Sequence, residues 1–216
     1  MTLLADVQAV HEDADLLVLQ KPAGLLCVPG RGPDKQDCLS ARAQQHWPGA
    51  LIVHRLDQAT SGLVLMARHI DAQRRLSHAF AERQVHKRYQ AVVWGLLAAQ
   101  EGAWNEINLP IAADWERRPL RVIDPAHGKP SLTRWRLLGH HPATGTSRIE
   151  LEPVTGRTHQ LRVHMAAVGH PILGDALYAP AEVQALAPRL LLHASHLAFA
   201  HPSTGEPLAL EWAADF

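Results

Sequence analysis

The chain is 216 residues long and 47% hydrophobic, which suits one compact domain with a sizeable core and excludes a disordered chain. Its two cysteines are too few for a secreted disulfide scaffold, and the sequence has neither a signal peptide nor an apolar run of about 18 residues, so we expect a soluble protein of the reduced cytoplasm. Lysine and arginine together number 21, as do aspartate and glutamate, and this balance argues against a strongly basic nucleic-acid-binding protein.

The first half of the chain predicts both strands and helices. Pro48-Gly49 ends a helix predicted at residues 39–47, and Asp71 can cap a second helix over residues 72–83. The tetrapeptide Lys21-Pro22-Ala23-Gly24 predicts a turn. Alternating or continuous apolar residues predict strands at residues 7–10, 16–19, 51–53, 63–66 and 87–94.

The second half of the chain predicts mostly strands, with one clear helix. This helix covers residues 158–168 and is closed by Gly169. Arg162 follows the core-facing Leu161 and lies about 100° further around the helix, so we expect its side chain at a rim where a site could form. The other core-facing residues of this helix are Met165 and Val168. The predicted strands are residues 103–107, 132–138 and 148–152.

The order of these elements indicates the fold class. Many consecutive strands lack the regular intervening helix that a parallel sheet requires. We therefore predict an α+β fold in which helices and loops flank a mixed, largely antiparallel sheet. A single domain is expected to span residues 1–216, because the sequence contains no internal repeat and no convincing second domain.

Positive charge is concentrated in two segments although the total charge is balanced. Residues 68–90 carry six lysines and arginines against two acidic residues, and residues 114–136 carry six against three. A basic surface could form if these segments face one side of the molecule.

A polar segment lies between two of the predicted apolar strands and reads HRLDQATSGL at residues 54–63. Asp and Thr side chains commonly hydrogen-bond turns, so Asp57 and Thr60 could serve only to stabilise this connection. The same loop could instead present a reactive carboxylate. The residues alone leave both interpretations open.

Together with four later segments, this motif resembles the signature of the RluA-type RNA pseudouridine synthases. The later segments follow the family's order and extend the resemblance over nearly the whole chain: KRYQAVVWG at 87–95, GRTHQLRVH at 156–164, GHPILGD at 169–175 and RLLLHA at 189–194. The resemblance implies a pseudouridine synthase catalytic domain and an isomerase that breaks the bond between uracil and ribose, rotates the base and rejoins it through carbon 5. It implies no cofactor, since the reaction involves no redox change.

Three residues match catalytic positions of that family. Asp57 is expected to be the catalytic carboxylate, an anionic nucleophile like those of glycosidases. Arg162 matches the arginine that keeps this carboxylate ionised in a pocket that excludes water; the alternative is a solvated arginine on the helix surface. Tyr89 matches the tyrosine that lies against the target base, where it could also assist removal of the C5 proton; the alternative is a core or cross-strand tyrosine.

Further residues are expected to contact RNA. Arg55 matches the arginine that fills the space left by the flipped uridine, and the alternative is a simple phosphate or surface contact. His54 and Leu161, from the same motifs, belong to the predicted RNA-binding set. Three arginines of the segment DWERRPLR complete this set: Arg117, Arg118 and Arg121. We predict RNA as the partner of a monomeric protein that does not bind membranes.

Several histidines fall within or beside these motifs, but none has the spacing of an HExxH or HxE…CxxC metal site. We therefore predict no metal. Structural or RNA-contacting roles are expected for His54, His159, His164, His170, His193 and His196.

The subgroup indicates a substrate class. A strand pattern begins close to residue 1, so we expect no S4-type RNA-binding domain ahead of the catalytic domain. Leu109-Pro110-Ile111 and the segment DWERRP at residues 114–119 resemble the RluA subgroup, whose members act on 23S ribosomal RNA and on tRNA anticodon stem-loops. A short synthase that acts on tRNA alone is the alternative.

Two rival functions belong to other classes. A carboxylate-dependent glycosidase or nucleosidase would need a second acidic residue near Asp57, and the matched motifs supply arginines instead. A non-catalytic RNA-binding module would be expected to have lost Asp57, Tyr89 or Arg162, and all three are present.

Overall fold

The structure, a computed structural model, describes residues 7–216. Its strands are β1 (Gln8–Glu12), β2 (Leu16–Lys21), β3 (Leu51–Ile52), β4 (Ser61–Ala67), β5 (His86–Trp94), β6 (Trp104–Asn108), β7 (Ile111–Ala113), β8 (Arg121–Ile123), β9 (Leu132–His141), β10 (Thr146–Pro153), β11 (Leu192–Ala200) and β12 (Pro207–Glu211). Its α-helices are α1 (Leu39–His46), α2 (Ile70–Ala81), α3 (Gln160–Ala167) and α4 (Ala181–Gln184). Within this part of the chain, no helix has both the length and the apolar character needed to span a membrane.

The chain forms two compact units, and the division falls within β5 and β11. The first unit comprises residues 7–87 and 194–215, and the second comprises residues 88–193 with Phe216. Many strands accompanied by few helices confirm the predicted α+β class. That the chain acts as a single catalytic domain stays a prediction.

The first unit contains a sheet with the strand order β1-β2-β4-β11, in which β3 pairs with β4 and β12 pairs with β11. The β1/β2, β2/β4, β3/β4 and β11/β12 pairings are antiparallel. All seven residues of β4 are buried, as its continuous apolar sequence predicts. Helix α2 packs Ala72 and Leu76 against Leu63 and Leu65 of this strand, and this packing forms the core of the unit.

Gly62 shows how closely two strands of this sheet approach each other. Its φ is +115°, and a Cβ at this position would lie 2.3 Å from the carbonyl oxygen of Ala194 in β11. A larger residue would push β11 away from the strand that follows the polar loop. The glycine of the HRLDQATSGL motif therefore has a packing role.

The second unit contains a sheet with the strand order β5-β10-β9-β6, all of whose pairings are antiparallel. Strands β7 and β8 form a separate two-stranded ribbon. Tyr89 pairs with Leu151 of β10, and its neighbour Arg88 points to the opposite face because side chains alternate along a strand. Helix α3 packs near β8, β9 and β10.

The structure differs from the sequence predictions at several elements. Helix α2 is capped by His69, whose Nδ1 accepts a hydrogen bond from the Ala72 N–H at 3.3 Å, and Asp71 lies in its first turn. Helix α3 begins after His159, whose φ of 58° is left-handed. Val168 is 39% exposed and is not a core residue. Four strands were not predicted: β7, β8, β11 and β12.

Candidate active site

Asp57 lies in the first unit, on the loop that joins β3 to β4. The Thr60 N–H donates to the main-chain oxygen of Asp57 at 3.1 Å, so this turn bond does not involve the carboxylate. One residue earlier, the Leu56 N–H donates to the Sγ of Cys27 at 3.2 Å. Asp57 itself is half-buried between the buried residues Leu56 and Thr60 and the exposed Gln58. The loop thus holds the carboxylate in a defined position with partial access to solvent.

Lys21 supports this loop through a hydrogen bond, although its sequence pattern predicted only a turn. Its side chain is fully buried, and its Nζ donates to the carbonyl oxygens of Pro22 (2.9 Å), Leu25 (2.7 Å) and Gln58 (3.0 Å). Burial lowers the pKa of Lys21 from 10.5 to about 8, while the negative charges of an ionised Cys27 and of Asp57 act in the opposite direction. Lys21 therefore brings a positive charge close to Asp57 at neutral pH. The signal in the sequence was a lysine that directly continues the apolar run LLVLQ.

A second connection joins the same turn to the same loop. The Gly24 N–H donates to the carbonyl oxygen of Gln58 at 2.8 Å, and the Gln58 side-chain amide donates to the carbonyl oxygen of Gly24 at 3.0 Å. These reciprocal bonds and the three bonds of Lys21 fix the backbone next to Asp57. Such support restricts the positions that a reactive carboxylate can adopt.

His54 and Arg55 begin the loop and have different surroundings. The His54 ring stacks on Phe80 with 4.5 Å between the ring centroids, and its Nε2 accepts the Leu65 N–H at 2.9 Å. Burial, followed by the nearby charge of Lys87, lowers the pKa of His54 to about 3, so the ring is neutral at physiological pH. Arg55 is exposed. Its position leaves the guanidinium accessible to a large polar ligand.

Arg162 lies in the second unit, where it forms a buried ion pair with Asp175. The Nε donates to Oδ2 of Asp175 at 2.8 Å and an Nη donates to Oδ1 at 2.6 Å. The two side chains are only 4% and 1% exposed. Arg162 therefore does not lie at the expected rim of α3, because this helix is buried on nearly all sides from Gln160 to Met165. The solvated surface arginine considered from the sequence is also ruled out.

Asp175 and Tyr178 hold Arg162 in place and were not assigned roles from the sequence. The Oδ1 of Asp175 also accepts the N–H groups of Leu177 (2.9 Å) and Tyr178 (3.2 Å), which keeps the carboxylate in one orientation. The guanidinium carbon of Arg162 lies 5.1 Å from the centroid of the Tyr178 ring, within the range of a cation–π contact. Asp175 ends the matched segment GHPILGD, which was the available signal.

The Tyr178 hydroxyl extends this arrangement to the β7/β8 ribbon. It lies 2.6 Å from Nδ1 of His159 and accepts the N–H of Arg121, the first residue of β8, at 3.0 Å. Because the hydroxyl accepts from Arg121, its own hydrogen is available for the histidine nitrogen. One tyrosine thus contacts the helix with Arg162 and the ribbon with the predicted RNA-binding arginines.

The remaining predicted site residues of the second unit are Tyr89 and Leu161. Tyr89 is half-buried on β5, and Leu161 is 6% exposed in α3. Asp57, Arg55 and His54 therefore share a loop of the first unit, whereas Arg162, Leu161 and Tyr89 belong to the second. That Arg162 acts on Asp57 stays a prediction.

The arginines of the segment 114–136 divide into two groups. Arg117, Arg118 and Arg121 lie at or beside the tip of the ribbon, and Arg117 pairs with Asp114 at 2.7 Å. Arg134 and Arg136 instead lie over the Trp104 ring, each with its guanidinium carbon 4.9 Å from the ring centroid. These two pair with the glutamates of neighbouring strands, Glu106, Glu150 and Glu152.

His164 makes hydrogen bonds through both of its ring nitrogens. His164 is buried, with Nδ1 at 2.9 Å from the Thr133 hydroxyl and Nε2 at 2.9 Å from the carbonyl oxygen of Leu109.

Among residues 7–216, the one group close enough to share a metal ion is Asp13, Asp15 and His201. Nδ1 of His201 accepts two backbone N–H groups, so its Nε2 carries the hydrogen and points at the two carboxylates as a donor. The three side chains are therefore joined by a hydrogen bond from His201 to Asp13 and by its close approach to Asp15.

Comparison with known proteins gives consistent matches. Residues 15–167 match a family model described as RNA pseudouridylate synthase. The chain is 48% identical over 200 residues to the dual-specificity RNA pseudouridine synthase RluA of Pasteurella multocida (strain Pm70), a match that covers 93% of this chain and 90% of the relative. It is 44% identical over 207 residues to the protein of the same name from Escherichia coli (strain K12), which covers 96% of this chain and 93% of the relative.

A solved structure shows the same fold. Human RNA Pseudouridylate Synthase Domain Containing 1 has a TM-score of 0.81 and 30% identity to the chain, covering 97% of this chain and 84% of that one. The family model and the relatives together span almost all of the described residues, including the Asp57 loop and the Arg162 helix. The chain belongs to the RNA pseudouridine synthases, a family of isomerases that act on RNA.

Proposed function

We propose that this protein isomerises specific uridines to pseudouridine in RNA stem-loops, with 23S ribosomal RNA, a tRNA anticodon stem-loop, or both as substrates. The observation that carries this proposal is the 44–48% identity to synthases named as dual-specificity enzymes, over more than nine-tenths of the chain. A synthase that acts on tRNA alone is the second candidate. We also propose that the protein is a cytoplasmic monomer.

Asp57 is the proposed catalytic carboxylate. The reaction breaks the bond between N1 of uracil and C1′ of ribose, forms a bond between C5 and C1′, and transfers the C5 proton away while N1 gains one. Attack of the carboxylate at C1′, its addition to C6, and a glycal route all begin from the same anion. The fixed backbone on both sides of Asp57 supports this role, and the bonds of Lys21 and Gln58 provide that rigidity.

Arg162 is the proposed partner that keeps Asp57 ionised. A guanidinium is always charged, and in a site that excludes water it opposes the rise in pKa that burial of a carboxylate causes. The ion pair with Asp175 and the contact with Tyr178 support this proposal because they hold the guanidinium in one orientation. Lys21 supplies further positive charge close to Asp57.

Tyr89 and Arg55 are proposed to act on the target nucleotide. Tyr89 stacks on the uracil and assists removal of the C5 proton. A phenol can do both, whereas a plain phenyl ring can only stack. Arg55 fills the space that the flipped uridine leaves, and its exposure supports this role. The proposed RNA contacts also include His54, Leu161, Arg117, Arg118 and Arg121. The reaction requires neither a metal nor a cofactor.

A tritium-release assay tests the proposed function. RNA labelled with tritium at C5 of uridine loses its label when C5 becomes bonded to ribose, so the protein should release tritium and form an equal amount of pseudouridine. Base loss without pseudouridine would indicate a glycosidase or nucleosidase. Binding without release would indicate a non-catalytic RNA-binding module. A pseudouridine map of total RNA from a deletion strain then identifies the missing sites and separates the dual substrate from tRNA alone.

A further inference from the structure

The connection between β7 and β8 is an ordered turn. The Asp114 N–H donates to the carbonyl oxygen of Leu120 at 3.1 Å, and the Leu120 N–H donates to the carbonyl oxygen of Arg117 at 2.9 Å. The Arg117 N–H also donates to Oδ1 of Asp114 at 3.0 Å, which lowers the pKa of this aspartate. The bond from Arg121 to the Tyr178 hydroxyl fixes one strand at the base of this turn. The ribbon can therefore present side chains in fixed positions.

Trp115 lies at the tip of this ribbon and is 72% exposed. An indole ring that is this exposed presents a large flat apolar face to any ligand that reaches it. Among the described residues, the other exposed large hydrophobic side chains reach at most 52% exposure. Trp115 therefore stands out from the ordinary apolar surface of the protein.

Arg118 covers one face of the Trp115 ring. Its guanidinium carbon lies 4.2 Å from the ring centroid, which is a close cation–π contact. The high exposure of Trp115 means that the opposite face is open to solvent. The neighbouring Arg117 is instead paired with Asp114, through Nε and an Nη that both lie 2.7 Å from Oδ2. The tip thus offers one open aromatic face backed by a positive charge.

We propose that Trp115 stacks on one unpaired base of the RNA, while Arg118 fixes the orientation of the indole and attracts the adjacent phosphate. A flat aromatic face backed by a guanidinium matches the face of a nucleobase and its negatively charged backbone. A single ring fits one base, whereas a protein partner would need a larger apolar surface than this turn provides. The inference rests on the proposed function, since it assumes an RNA substrate, and it adds a contact that selects RNA with an unpaired base besides the target uridine.

Binding measurements with Trp115 variants test this inference. The Asp57→Asn background prevents turnover during titration, and the RNAs are a tRNA anticodon stem-loop and a stem-loop of 23S ribosomal RNA. We expect Trp115→Ala to bind about tenfold more weakly, the lower part of the range for loss of one stacked base. Trp115→Phe should recover most of the affinity because it keeps a flat ring. Leu186→Ala, at another exposed apolar position, is the matched control and should bind normally.

Two further measurements separate stacking from other effects. The dependence of the binding constant on salt should keep the same slope in Trp115→Ala, because stacking releases no counterions. When unpaired nucleotides are replaced one at a time by abasic residues, one position should remove the difference between Trp115 and Trp115→Ala. Equal affinities for the two proteins, or a difference that persists at every abasic position, would overturn the inference.

The same experiments distinguish this inference from the proposed function. If the unaltered protein forms pseudouridine and Trp115→Ala binds equally well, only the stacking inference is wrong. If the protein forms no pseudouridine in any RNA but its binding depends on Trp115 at one unpaired position, the proposed function is wrong and the stacking surface stands.

Discussion

At the scale of single residues, the surroundings of Asp57 combine rigidity with positive charge. Lys21 donates to three carbonyl oxygens, and the negative charge of Asp57 favours its charged form against the effect of burial. Burial of a charged lysine is costly, and the three hydrogen bonds to carbonyl oxygens offset part of this cost. Lys21 therefore both supports this loop and supplies positive charge near the carboxylate on it.

Lys21→Met tests the value of this charge. We expect the rate of a single turnover at pH 7 to fall by about tenfold, the effect of losing roughly 1.4 kcal/mol of charge stabilisation. Because the pKa of Lys21 is about 8, the rate of the unaltered protein should fall as the pH rises through this value. The variant should lack this fall, while any alkaline decrease that both proteins share belongs to another group.

The free energy of unfolding provides a control for Lys21. Its contribution from Lys21 should rise with pH over the range in which the reaction rate is expected to fall. Burial lowers the pKa of the folded state below the ordinary value of 10.5, so the folded protein binds fewer protons than the unfolded chain between about pH 8 and 10.5. The contribution of Lys21 to the free energy of unfolding therefore increases over this window. Parallel pH–rate profiles for Lys21→Met and the unaltered protein would show that the charge of Lys21 does not affect the reaction.

Arg162 is expected to have both a structural and a catalytic role, and two variants separate them. Arg162→Met leaves the carboxylate of Asp175 buried without its bidentate partner, so we expect a loss of about 3–5 kcal/mol in the free energy of unfolding and a severe loss of activity. Arg162→Met combined with Asp175→Asn removes both charges and should recover much of the stability. Chemical denaturation and single-turnover rates measure the two effects. Near-normal rates in the stabilised double variant would show that Arg162 does not assist Asp57.

At the scale of elements, the sequence predicted those whose side chains follow a simple apolar pattern. The continuous apolar run of β2 and the helical spacing of α2 both predicted the correct type of element. Strand β11 was missed because its sequence, LHASHLAFA, is rich in alanine, serine and histidine and lacks the β-branched residues typical of strands. The three-residue strands β7 and β8 are too short to produce a pattern.

The candidate site was predicted in part for similar reasons. Motif resemblance assigned Asp57 and Arg162 to the site and paired them with each other, and both assignments stay predictions. The helical periodicity of α3 misplaced Arg162 at a rim because the periodicity does not record what packs against the polar side of a helix. Asp175, Tyr178 and Lys21 act through contacts with other segments, and such contacts become visible only in the folded chain.

Tyr178→Phe tests whether the hydrogen bonds between the ribbon and the helix that carries Arg162 affect RNA binding. The variant loses the bonds of the hydroxyl to Arg121 and His159 but keeps the ring beside Arg162. We expect a KM for RNA about tenfold higher, with a nearly unchanged single-turnover rate at saturating enzyme. Tyr178→Leu, which also loses the ring, should lower the saturated rate. If both variants change only the free energy of unfolding, Tyr178 has no part in the reaction.

At the scale of the whole molecule, the balance of 21 basic and 21 acidic residues requires that RNA be bound by local groups of arginines. Arg134 and Arg136 are paired with glutamates on the sheet of the second unit, so they add little to such a surface. The ribbon carries three arginines against two acidic residues at positions 114–121, and one of the three, Arg117, is paired with Asp114. We therefore expect the ribbon to supply most of the electrostatic attraction in this unit.

Two triple variants test this assignment. The first variant combines Arg117→Ala, Arg118→Ala and Arg121→Ala. It should bind a stem-loop more weakly, and its binding should depend less steeply on salt, by about two to three counterions. The matched control combines Arg74→Ala, Arg75→Ala and Arg83→Ala, which removes the same charge from the other basic segment. It should change the salt dependence less. An equal or larger effect of the control would assign the RNA-binding surface to residues 74–83 instead of the ribbon.

The central claim is that the carboxylate of Asp57 performs the isomerisation, and a single-turnover assay of Asp57→Asn tests it most directly. The substitution preserves the size of the side chain and removes its charge, so RNA affinity and the free energy of unfolding should stay close to those of the unaltered protein. With saturating enzyme and RNA tritiated at C5, the unaltered protein should release tritium and form pseudouridine, whereas Asp57→Asn should form none. Appreciable pseudouridine formation by a folded, RNA-binding Asp57→Asn protein would contradict the assignment.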